Sequence, residues 1–69
     1  MSVAIRLNGK DETVQAATVA ELLTGLGVDP ERRGLAVAIN GDVVPRRAWA
    51  ERRLAVADDV EIVRPLQGG

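Results

Sequence analysis

Only one segment of this 69-residue chain has the period of a helix, and that limits the fold more than anything else in it. Thr18 stands three residues before Glu21, the spacing of a capping box, in which the two residues satisfy free amides at a helix start. Val19, Leu22, Leu23 and Leu26 then recur at i, i+3, i+4 and i+7 and make one apolar face. Gly27 ends the helix, because glycine takes the left-handed position after a C-cap without steric cost, and Val28 can pack back on the last turn. Asp29-Pro30 bars any extension. One short helix cannot bury its own apolar face, so it needs a sheet to lie on.

The remaining apolar residues alternate, as a half-buried sheet requires. Val3, Ile5 and Leu7 point one way, Ala4 and Arg6 the other. Asn8-Gly9 is a hairpin signal, and Glu12–Ala16 forms a short partner strand with Val14 inward. Leu35, Val37 and Ile39 face inward between Ala36 and Ala38, which face out. Asn40-Gly41 marks a second turn, and Asp42–Pro45 returns until proline stops it. Two registers compete there. A two-residue turn sets Ile39 opposite Asp42, whereas a four-residue loop over 40–43 sets it opposite Val44 and suits the apolar pattern better, so the longer loop is preferred. Residues 46–59 are weakly patterned, with a helical turn around Arg47–Trp49 and core contacts from Trp49 and Leu54. Val60–Val63 is the last strand, Val60 and Ile62 on one face, Glu61 and Val63 on the other. The order ββαβββ is an α+β arrangement, a small mixed sheet packed on one main helix.

Composition excludes several functions. With no cysteine and no histidine the chain lacks disulfides, the usual zinc ligands, the commonest general base and the most reactive nucleophile. The core must be plain aliphatic packing around Trp49, the one aromatic residue. Nine basic and ten acidic residues give a net charge of −1, and the arginines come in scattered pairs without interleaved aromatics, which argues against nucleic acid. The longest apolar run, Leu35–Ile39, is far too short to span a membrane, and the start "MSVAIRLNGK" does not read as a leader, so a soluble cytoplasmic protein is expected. Asp58-Asp59 reads as a solvated, capping turn, since neighbours on a strand face apart and make a poor acid–base pair. Arg46 and Arg47 read as solvated surface charge. No metal site is expected, and no catalytic residue emerges; an enzyme working alone does not fit.

The reactive group that remains is the terminus. Gly68-Gly69 is either a frayed end or a bare carboxylate on a thin stalk. The second reading has a physical logic. A carboxylate is a poor electrophile until activated, most simply as an acyl-adenylate, and an activating enzyme must enclose the last residues. Glycine lets backbone pass a narrow channel. Pro65 stiffens the exit and biases Arg64 towards an extended shape. Leu66 and Gln67 supply an apolar and a hydrogen-bonding handle. The division expected is a domain over 1–64 and a flexible tail over 65–69, the tail reaching about 17 Å at full extension.

Two stretches, "AINGDVVPRRAW" and "DDVEIVRPLQGG", resemble the ThiS-type sulfur carriers of thiamine thiazole biosynthesis, a ubiquitin-like β-grasp family. The matching positions are Asn40, Val44-Pro45-Arg46, Trp49, Asp58 and Gly68-Gly69, and the resemblance covers the whole chain. It implies that an ATP-dependent, E1-like adenylyltransferase (ThiF-type) activates the carboxylate of Gly69. A sulfur donor then makes a thiocarboxylate, which gives its sulfur to thiazole synthase. ATP belongs to the activating enzyme, and the carrier itself binds no cofactor. The sheet face away from the helix is free to dock, and Ala36, Ala38 and Val63 lie there with Leu66 beside them. Relatives with the same tail chemistry keep three alternatives open: a molybdopterin synthase small subunit, a carrier for cysteine biosynthesis, and a protein modifier. A fourth is a binding module with inert glycines. One departure is local: the family usually has Asp-Gly-Asp before the last strand, and this chain has Val56-Ala57-Asp58, where alanine tolerates positive φ poorly.

Overall fold

The helix forms where the capping box predicts it, in a computed structural model that describes residues 2–65. Helix α1 spans Val19–Gly25. Thr18 is its N-cap, and its hydroxyl accepts the Glu21 amide at 3.2 Å. The Glu21 carboxylate closes the box on the amide of Ala17, at 2.9 Å. The next orphan donors, the amides of Val19 and Ala20, reach the carbonyls of Arg52 and Trp49, both at 3.0 Å. The segment after the second hairpin therefore lies across the helix start and satisfies it. At the other end Gly27 adopts φ +77°, its amide donates to Thr24 O, and the Val28 amide donates to Leu23 O. This pair of bonds is a Schellman motif.

That ending corrects one expectation. Leu26 does not complete the buried face; it is 38% exposed. It sits at the C-cap, beyond the last helical residue, and only lines a shallow groove with Val14, Ala16 and Leu22. Val28, folded back by the turn, enters the core instead.

Five strands form one sheet: β1 Val3–Leu7, β2 Lys10–Val14, β3 Ala36–Ile39, β4 Asp42–Val43 and β5 Asp59–Val63. Their spatial order is β2-β1-β5-β3-β4, with β1 and β5 parallel and every other pair antiparallel. The first hairpin turns on Asn8 (φ 49°) and Gly9 (φ 84°), the positive-φ pair that suits the strand twist. Pairing resumes at Lys10, two residues earlier than the apolar pattern suggests. The edge position explains this, because Lys10, Asp11 and Glu12 stay exposed and guard an open strand.

The second hairpin overturns the preferred register. Asn40 (φ 54°) and Gly41 (φ 86°) make a two-residue turn, and Ile39 pairs with Asp42, not Val44. The apolar pattern is still satisfied: Val44 falls opposite Val37, its amide donating to Val37 O at 2.8 Å, and both are buried. Asp42, at the tip, remains exposed.

Between the sheet and α1 lies an aliphatic core that includes Ile5, Val19, Leu22, Leu23, Val37, Ile39, Val60 and Ile62. Leu54 and Trp49 join it as expected. Pro45 ends the hairpin and opens a short 3₁₀ turn over Arg46–Ala48, which delivers Trp49 at 3% exposure, its indole N–H donating to Val44 O at 2.9 Å.

Strand β5 is central, and both hairpin asparagines hold it. Asn8 Oδ1 accepts the Ile62 amide at 2.8 Å on one side. On the other, Asn40 Oδ1 accepts the Asp59 amide at 2.9 Å while its Nδ2 donates to Asp58. Asp58 itself is not a solvated turn residue, contrary to expectation. It is 6% exposed, and accepts the Ala55 amide at 2.8 Å and Asn40 Nδ2 at 3.0 Å, with Arg52 at 3.6 Å. It caps the turn, as expected, but from inside. Ala57 takes the left-handed conformation after all, at φ 69°.

Candidate functional site

The chain leaves the fold at the C-terminal end of β5, opposite the Asn40-Gly41 turn; the Asn8-Gly9 turn lies toward the exit end, since β1 runs parallel to β5 and Asn8 Oδ1 accepts the Ile62 amide. Val63 pairs with Ala36 at the start of β3. Arg64 follows, lining a cleft with Gly27, Val28, Asp29 and Arg32, the loop that succeeds α1. Pro65 is half-buried and rests on Gly34: a Cβ added at Gly34 would come within 3.1 Å of Pro65 Cβ. Gly34 has φ +81°, so both its conformation and the neighbouring ring favour glycine here. The base of the tail thus has a defined seat. Leu66, Gln67, Gly68 and Gly69 lie outside the described residues.

On the sheet face away from α1, the structure brings Ala36, Ala38 and Val63 together. Ala36 is directly opposite Val63, and Ala38 sits between Glu61 and Val43 in neighbouring strands. Val63 is 61% exposed and Val43 75%. Two alanines between two valines make a shallow apolar hollow, with Glu61 at its rim. Val43 also lines this hollow, although the longer loop expected over 40–43 places it in a turn. The signal that would have found it is the Asn40-Gly41 pair, whose two-residue turn puts Val43 opposite Ala38. The hollow is apolar and adjoins the tail exit, which suits contact with another protein.

Arg46 is exposed, as expected, but its side chain is not loose. Its guanidinium lies 4.5 Å over the Trp49 ring, one nitrogen donates to Arg32 O at 2.6 Å and another donates to Pro30 O. Arg47 remains exposed. Among the described residues no group of acidic side chains could hold a metal, and no helix is long and apolar enough to cross a membrane.

One helix held against a five-stranded mixed sheet, with the last strand in the middle and parallel to the first, defines a ubiquitin-like β-grasp protein. The likeness goes further than the fold. The chain belongs to the ThiS family, whose model matches residues 3–69. It is 37% identical over 62 residues to the sulfur carrier protein ThiS of Escherichia coli (strain K12), an alignment covering 86% of this chain and 91% of that one. A crystal structure of the thiamine biosynthesis protein ThiS from Geobacter metallireducens superposes with a TM-score of 0.75 at 33% identity, covering both chains completely. A solution structure of a thiamine biosynthesis protein from the same organism gives 0.78, also at 33% identity, over 97% of this chain and 88% of that one.

Proposed function

We propose that this protein carries sulfur for thiazole ring formation in thiamine biosynthesis, on the C-terminal carboxylate of Gly69. The observation that carries this reading is the reach of the family match, which runs through residue 69 and so includes Gly68-Gly69. A carboxylate resists nucleophiles because its negative charge is delocalised; activation replaces one oxygen by a good leaving group. An E1-like, ThiF-type enzyme supplies that step by joining the Gly69 carboxylate to AMP from its ATP, with release of pyrophosphate. A sulfur donor then displaces AMP and leaves a thiocarboxylate, which thiazole synthase consumes.

In this reading the carrier binds no cofactor, performs no catalysis of its own and works in the cytoplasm. Its tasks are presentation and recognition. Pro65, seated on Gly34, supports the base of the tail. Leu66 and Gln67 give the partner an apolar and a polar grip, and Gly68 keeps the approach narrow. The hollow at Ala36, Ala38 and Val63, widened by Val43, is the surface through which the partner enzyme holds the body of the carrier. Such a transient contact needs only a modest apolar centre with a polar rim.

Intact-mass spectrometry tests the reading. Incubation with ATP, the activating enzyme and a sulfur source should raise the mass by the difference between sulfur and oxygen. A chain lacking Gly69 should show no gain. A full gain in that truncated chain would remove Gly69 from the role.

A further inference from the structure

The Arg46 side chain joins two parts of the fold that no strand connects: the 3₁₀ turn at the helix start and the loop beneath the tail. One end of this bridge is rigid. Trp49 is buried, its indole is bonded to Val44 O, and its own carbonyl accepts the Ala20 amide of α1 at 3.0 Å. The guanidinium stacks on that ring and spends two of its nitrogens on the carbonyls of Pro30 and Arg32. Among the described residues, the other hydrogen bonds of the loop it grips are local: the Glu31 amide to Asp29 Oδ1 at 2.9 Å and the Arg32 amide to Asp29 O at 3.0 Å. That same loop supplies Arg32 and Asp29 to the cleft of Arg64, and runs on to Gly34 beneath Pro65.

From this we infer that Arg46 is a positioning residue for the tail: by fixing residues 30–34 against Trp49 it sets the seat of Arg64-Pro65, and hence the direction in which the reactive end is offered. The task needs arginine. Two carbonyls and a ring face must be met at once, which a planar fork does and a single ammonium does not. The inference rests on the carrier reading only for its kinetic consequence; the seat itself is a property of the isolated chain.

The test uses Arg46→Ala and Arg46→Lys in the full chain, at a temperature where urea melts show both to be folded. In wild type, NMR should show an NOE between the Gly34 α-protons and the Pro65 ring. It should vanish in Arg46→Ala and weaken in Arg46→Lys. In ATP–pyrophosphate exchange with the activating enzyme, Arg46→Ala should raise the KM for the carrier roughly tenfold, with kcat nearly unchanged, since the seat affects docking rather than the adenylation step. Arg46→Lys should fall between, and should keep the assay informative should the alanine variant fail to fold. A lost NOE with an unchanged KM would overturn the claim that the seat directs the tail. An NOE retained in Arg46→Ala would overturn the positioning itself. Failure of wild type to be adenylated would instead refute the carrier reading, and the NOE arm would still decide whether Arg46 sets the seat.

Discussion

Ala57→Gly should stabilise this protein, although it deletes a methyl group and loosens the unfolded chain. Ala57 has φ 69°, in the left-handed region, where an L-residue with a Cβ is strained by about 1–2 kcal/mol. The conformation is imposed from both sides. The Ala57 amide donates to Ala4 O at 2.8 Å, the Arg6 amide to Asp58 O at 2.9 Å, and the Asp58 carboxylate reaches back to Ala55. Glycine would remove the strain while raising the entropy of the unfolded chain, a loss of about 0.4–1 kcal/mol. Little burial is forfeited, because Ala57 is exposed. The balance is a gain centred on about 0.8 kcal/mol and no larger than about 1.6 kcal/mol. A domain of this size should then melt roughly 2–8 °C higher. Urea denaturation should show a higher midpoint at unchanged slope. Ala55→Gly is the control: Ala55 is exposed and is not at positive φ, so only the unfolded-state term acts and the midpoint should fall. A midpoint that falls equally in both variants would refute the reasoning, since it would mean that the turn stores no strain.

Other perturbations follow from the same geometry. Asp58→Ala would strand the Ala55 amide and Asn40 Nδ2 and should cost about 2–3 kcal/mol in urea melts. Gly27→Ala should cost about 1 kcal/mol, all of it conformational, because a Cβ there meets nothing within 4 Å while φ is +77°. Val63→Lys, on the exposed face, should change stability by no more than about 0.5 kcal/mol. In pyrophosphate exchange it should nevertheless raise the KM for the carrier about tenfold, equal to about 1.4 kcal/mol of lost contact.

Much of the fold is legible in the sequence because local chemistry and tertiary packing agree there. Thr18 and Glu21 start the helix and Gly27 ends it; the alternations of Val3–Leu7, Leu35–Ile39 and Val60–Val63 all choose the faces they are found on. The errors have distinct physical causes. At Asn40-Gly41 the apolar match of Ile39 with Val44 competes with turn chemistry, and turn chemistry prevails because Val37 is available to Val44. Leu26 keeps the helical period in sequence after the helix has ended in space. Asp58 and Arg46 carry charges, and charge alone points to solvent. Asp58 bonds Ala55 locally, but the side-chain partner that covers it, Asn40, is 18 residues away, and the carbonyls that hold Arg46 are 16 and 14 residues away, which no local pattern reports. The parallel pairing of β1 with β5 is equally non-local. At the tail exit, the chemistry is written in the residue types, whereas the contact of Gly34 with Pro65 depends on where the fold brings distant segments.

The place of β5 has a consequence for how the chain is made. The strand at the centre of the sheet is the last one synthesised. Until Asp59–Val63 has emerged, the two hairpins share no neighbour, and the amides and carbonyls that Asn8 and Asn40 later engage do not exist. Each hairpin alone is at best marginal in water. Cooperative folding must therefore wait until Asp59–Val63 has left the ribosome, and no product cut short before β5 can pass for the native domain. A synthesis stalled before residue 59 leaves an unfolded fragment open to proteolysis.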